Sequence, residues 1–103
     1  MERELEDLEK ALAEHASAQI HYERVKEELE RARATALLSG VIAGKNAEER
    51  EAQARASLAE RYEAVRAAQE ALVWARVRLE LARERLSVAK ITQEVKSGSH
   101  QTR

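Results

Sequence analysis

Leu58, Val65, Leu72, Leu79 and Leu86 stand seven residues apart. Ala54, Ala68, Ala75, Ala82 and Ala89 fill the alternate position of the same 3-4 repeat, with Arg61 the one exception. A seam sustained over five heptads restricts the chain to coiled-coil packing. Alanine in every second position lets a neighbouring helix come close, provided that helix supplies the larger side chains.

The first half of the chain offers that neighbour. Leu8, Ala11, His15, Ala18, Tyr22, Val25, Leu29, Ala32 and Ala36 follow the same spacing. Folding the chain antiparallel about residue 45 sets Leu8 against Ala82, Ala11 against Leu79, Ala18 against Leu72, Tyr22 against Ala68 and Ala32 against Leu58. Large then meets small along most of the seam. Charge agrees with this register. Residues 1–30 carry net −6, residues 31–47 net +3, residues 48–70 net −2 and residues 71–103 net +4. Folding back brings Asp7 near Arg85 and Glu14 near Arg78.

The expected fold is therefore all-α, an antiparallel two-helix coiled-coil hairpin over residues 1–96 that assembles into a dimeric or higher helical bundle. Helix 1 is expected over about 3–43, the bend over about 39–46 and helix 2 over about 47–96. Residues 97–103, "SGSHQTR", read as a disordered polar tail. Composition fits: 103 residues with no Pro, Cys or Phe, 36% charged and 3% aromatic, suit long helices and a narrow seam. Absence of cysteine excludes disulfides and thiolate metal sites and fits a reducing, cytoplasmic setting. The acidic start is not a signal peptide, and the longest weakly polar run is too short to span a bilayer, so no membrane role is expected.

The bend, "SGVIAGKNAEER" at 39–50, contains a Gly-Lys pair and invites a nucleotide reading. A phosphate-binding loop needs G-x-x-x-x-G-K-[ST] after a buried strand. Here Gly40 to Gly44 is one residue short, Asn46 stands where the Mg-binding hydroxyl belongs, and a helix precedes. Asn46 instead reads as a helix N-cap with Glu49 completing a capping box, and Glu48, Glu49 and Glu51 suit a helix start. Gly44 or Gly40 can end helix 1 in the left-handed conformation. Leu37, Leu38, Val41 and Ile42 are expected to cap the bend.

No catalytic, cofactor-binding or metal site is legible. His15 and His21 fall on different faces of one helix, and His15 reads as a packed, hydrogen-bonded seam residue. Ser39, Ser57 and Ser87 have no His with a carboxylate behind it. No cofactor and no enzymatic activity are expected.

Helix 2 carries a second apolar line on its other side. Trp74, Val77, Leu81, Val88, Ile91 and Val95 follow spacings of 3, 4, 7, 3 and 4. One hairpin cannot cover it, so these six residues are the candidate interface with a second copy or with an unidentified protein. A basic set, Arg76, Arg83, Lys90 and Lys96, is the candidate nucleic-acid contact, with Trp74 able to stack on a base. Arg78 and Arg85 have acidic partners in the hairpin, and the slightly acidic chain does not favour nucleic acid.

"GKNAEEREAQ" at 44–53, between a helix ending "ALLSG" and a long Ala/Glu/Arg/Leu helix, resembles a group of short phage and prophage coiled-coil hairpin proteins, mostly without assigned function. The resemblance spans about residues 20–90 and implies a phage-encoded accessory protein in the host cytoplasm, bound to a host or phage protein. It transfers no catalytic residue. Its alternatives are a nucleic-acid-associated recombination or replication accessory, or a nuclease inhibitor of the Gam-like type. The latter shares shape alone, since only residues 1–30 are strongly acidic.

Overall fold

A computed structural model of the chain describes residues 1–101 and is all-helical among them: α1 (Glu2–Leu38), α2 (Ala47–Ser57) and α3 (Ala59–Gln101). The helices divide between two compact units, one of Met1–Ser17 with Val73–Arg103 and one of Ala18–Leu72.

In the first unit the start of α1 and the body of α3 run antiparallel. Ala11, Leu79 and Ala82 form a buried cluster with Leu8 against it. Ala75 and Leu86 are buried as well, and His15 and Ala89 are half-buried. Every seam position of this unit thus turns inward, as the heptad pattern predicts. His15 departs from expectation in one respect: its Nε2 is enclosed without a hydrogen-bond partner. Arg78 Nε donates to Glu14 Oε2 at 3.4 Å, the predicted cross-helix pair. Asp7 and Arg85 form no ion pair among the described residues. Both instead line an open cleft of about 1300 Å³ bordered by residues 1–7 and 84–97.

In the second unit α1 turns back through residues 39–46 into α2, a helical hairpin. Ala36, Ile42 and Ala54 form its buried cluster, with Leu58 and Tyr62 packed against it. Val25, Ala68 and Leu72 are buried, and Ala18, Tyr22, Leu29, Ala32 and Val65 half-buried. Gly40, at φ 82°, takes the left-handed conformation that ends α1. Its N–H donates to Leu37 O at 3.3 Å and that of Ile42 to Ala36 O at 3.1 Å, closing the last turn. Gly44 serves differently: a Cβ there would lie 2.6 Å from Glu49 Cβ and 2.8 Å from Arg50 N, so only glycine admits the close approach of the next helix.

Three expectations change. Helix 2 is interrupted at Leu58, whose φ of −116° and ψ of 29° cap α2. Its carbonyl accepts from both Arg61 N and Tyr62 N at 3.0 Å, tightening the turn that sets Leu58 and Tyr62 on the bend cluster. The break falls beside Arg61, the exposed exception in the seam. Next, α3 runs past 96 to Gln101, because neither proline nor a left-handed glycine stops it: Gly98 keeps a negative φ. Thr102 and Arg103, the end of the expected tail, lie outside the described residues. Finally, of the four residues expected to cap the bend only Ile42 is buried. Leu37, Leu38 and Val41 are exposed: the first two fall out of phase with Ala32 and Ala36 on α1, and Val41 lies in the bend beyond the end of that helix.

Candidate interface on α3

The six residues of the second line all lie on α3 within the first unit. Trp74, Val77, Leu81, Val88, Ile91 and Val95 are between 46% and 62% exposed, whereas the seam residues Ala75, Leu79, Ala82 and Leu86 are no more than 8% exposed. The contrast follows from helix geometry. A 3-4 repeat begun at Trp74 runs about half a turn out of phase with one begun at Leu72, so the two lines occupy opposite sides of one helix. α1 covers the first side and leaves the second.

The sequence reading missed one member of this second line. Glu84 lies three residues after Leu81 and four before Val88, and so completes the 3-4 repeat from Trp74 to Val95 as its single charged residue. The signal was the seven-residue gap between Leu81 and Val88. Glu84 is exposed and also lines the cleft near Arg3 and Arg85.

The four basic residues proposed for nucleic acid do not form one group. Arg76, Arg83 and Lys90 are exposed, seven residues apart, and thus share a ridge of α3 between the seam and the apolar strip. They form no ion pair within 4 Å among the described residues. Lys96 stands off the ridge and lines the cleft instead.

The bend of the second unit is occupied by its own hydrogen bonds. Asn46 Oδ1 accepts from Glu49 N at 2.9 Å, the capping bond expected of α2. Glu49 Oε2 reciprocates with Lys45 N at 2.8 Å, one residue before the usual capping-box partner. Gln53 Oε1 accepts from Ala43 N at 2.8 Å and Gly44 N at 2.9 Å. The N–H groups that would cradle a phosphate in a nucleotide-binding loop therefore already have acceptors.

Behind the bend lies a polar cluster that the sequence did not disclose. Arg33 Nη1 donates to Glu51 Oε2 at 3.0 Å and also to Tyr62 Oη. Arg55 pairs with Glu51 Oε1 at 3.2 Å and stacks 5.0 Å from the centre of the Tyr62 ring. The hydrogen bond from Arg33 holds the Glu51 carboxyl below its ordinary value against a smaller opposing effect of burial. Two arginines, one carboxylate and one phenol satisfy one another here, so the cluster fastens α1 to α2 and α3. Its residues sit 18 to 29 positions from Arg33, beyond any local pattern.

Among the described residues no group of His, Cys, Asp and Glu could hold a metal ion, and no helix is long and apolar enough to cross a membrane. No family model, no curated protein and no solved structure matches the chain.

Proposed function

We propose that the chain is a non-enzymatic, self-associating coiled-coil module that binds a protein partner, an accessory protein of the phage type. One observation carries the reading: a line of six large apolar side chains, about half exposed and interrupted only by Glu84, on the face of α3 that α1 leaves open. Side chains of this size and exposure present roughly 500 Å² per chain, at the upper end of what monomers leave in water. Two copies meeting there bury roughly 1,000 Å², the threshold of a specific interface. At about 25 cal/mol per Å² the gross gain is about 25 kcal/mol. Against it stand roughly 4–15 kcal/mol lost in association, together with the ordering of the interface side chains and the desolvation of Glu84, so only a part of the gross gain shows as affinity. Leu37, Leu38 and Val41 on the second unit offer a separate exposed apolar surface for the host or phage protein. The phage assignment rests on the resemblance of "GKNAEEREAQ" and on nothing in the packing.

The test is the mass of the native chain by light scattering, beside that of a Leu81→Glu, Val88→Glu double variant. The proposal expects a dimer or larger for the first and a smaller, still helical species for the second. A native chain that stays monomeric at high micromolar concentration assigns the strip to a foreign partner. A double variant of native mass removes the strip from the interface.

A second reading, nucleic-acid association, draws on the unpaired Arg76–Arg83–Lys90 ridge. It expects retention on single-stranded DNA at physiological ionic strength, lost on rising salt. The ridge triple variant to Gln should abolish that retention.

A further inference from the structure

We infer that the second copy docks parallel and in register, α3 beside α3, with Glu80 of each chain facing Arg85 of the other. This rests on the self-association proposed above and adds its orientation.

An apolar strip alone accepts either direction; its flanking charges do not. Placing Trp74, Leu81 and Val88 at the a positions of a heptad puts Val77, Glu84 and Ile91 at d. Glu80 and Glu94 then fall at g, and Arg78 and Arg85 at e. In a parallel pair each g residue meets the e residue five places further along the other helix. Glu80 meets Arg85, twice by symmetry, and no like charges meet on the flanks. In an antiparallel pair g meets g and e meets e. Two antiparallel registers keep the strip overlapped. One sets Arg78 against Arg85, and the other sets Glu80 against Glu94 and Arg85 against its own copy. Both place like charges together, which disfavours them.

The state of these groups within one chain agrees. Arg78 is already engaged by Glu14. Glu80 and Arg85 are exposed, and neither forms an ion pair within 4 Å among the described residues. The parallel arrangement gives each the partner it lacks. It has one opposing feature: the two Glu84 residues share a layer. Arg85 of the second copy borders that layer, and a single polar residue in a core layer fixes register at some cost in stability. Sliding by a heptad would set Glu84 against Val77 or Ile91 and lose the Glu80–Arg85 contacts.

The chain has no cysteine, so introduced thiols report orientation directly. Val77→Cys and Val95→Cys, made singly and equilibrated in a glutathione redox buffer, should each form a self-disulfide. Ala52→Cys, exposed and away from the strip, serves as the collision control. In either antiparallel register residue 77 lies at least about 16 Å from its own copy, and no self-disulfide forms. A native dimer whose two strip variants both fail to couple above the control overturns the parallel orientation while self-association stands. A monomeric native chain overturns both. Charge reversal supplies an independent measure. Arg85→Glu should weaken the dimer about tenfold by sedimentation, and adding Glu80→Arg should restore it. Tightening by Arg85→Glu, with helicity unchanged, is the result of the antiparallel register that sets Arg78 against Arg85, and it refutes the inference. The register that sets Arg85 against its own copy is excluded by the disulfides alone, since Arg85→Glu only exchanges one like-charge contact there for another.

Discussion

Leu79 and Leu81 are the same residue type on the same helix, two positions apart, and they should respond to truncation in different ways. Leu79 is 5% exposed and packs in the cluster with Ala11 and Ala82, whereas Leu81 is 47% exposed on the opposite face. In Leu79→Ala the cavity is bordered by alanines on both helices. The alanines have no longer side chain to swing into the space, and Leu8, half-buried against the cluster, can fill it only in part. The loss should be about 3 kcal/mol, in the middle of the range for buried leucine. In Leu81→Ala only the covered part of the side chain is lost to the isolated chain, and the cost should be about 1 kcal/mol or less. Concentration separates the two further. Association stabilises the native chain by mass action, worth up to about 2.7 kcal/mol when the partner rises to a hundred times the dissociation constant. Leu81→Ala should forfeit much of that gain, and Leu79→Ala should retain it at whatever stability it has left. Urea unfolding followed by far-UV circular dichroism, at low micromolar and again at about 100-fold higher concentration, measures both effects. Equal costs at low concentration would refute the assignment of the two faces. Unfolding midpoints that do not move with concentration would refute self-association.

The two bend glycines should also separate. Gly40→Ala meets no neighbour but must keep a positive φ, at about 1 kcal/mol, while Gly44→Ala forces a Cβ into Glu49 and Arg50 and disturbs the Asn46 cap, at about 3 kcal/mol. Thermal melts of the two variants decide it, and the reverse order would show that conformation rather than close approach governs the bend. Because Arg33 holds the Glu51 carboxyl below its ordinary value, the folded state favours the ionised form. That stabilisation is present above the unfolded carboxylate pKa and is lost as pH falls through the lower folded value. Acid titration of stability should therefore fall more steeply for the native chain than for Glu51→Gln, and parallel curves would remove Glu51 from the linkage.

The parts of the fold legible in the sequence are those set by period. The alternation of Leu and Ala fixes which face of α3 is buried, and the 3-4 spacing of Leu8, Ala11 and Val25 fixes that of α1. The capping pattern at Asn46 and Glu49 is local and equally legible. Features that depend on distance in the chain were not. The Arg33–Glu51–Tyr62 cluster joins three helices through side chains long enough to reach across the hairpin, and no spacing rule announces it. The interruption at Leu58 leaves the heptad count intact, so a pattern of positions does not register it. Leu37, Leu38 and Val41 mislead in the opposite direction: hydrophobicity suggests burial, but phase relative to Ala32 and Ala36 turns the two leucines outward, and Val41 lies in the bend, where no helical phase applies.

The same distinction bears on the candidate interface. Period alone located the strip on α3, because a helix apolar along two opposite sides is made to lie between neighbours. α1 lacks such a second continuous line, its exposed Leu5, Leu12 and Ile20 being set among charged residues. The pattern therefore favours α3 as the inner helix of the proposed assembly and α1 as the outer one. What period cannot supply is orientation, since apolar contacts are non-directional. That information resides in the margins of the strip, where acids occupy one flank and arginines the other. A margin of this kind is satisfied when two such helices run the same way. Any account that reverses them must find other partners for Glu80 and Arg85.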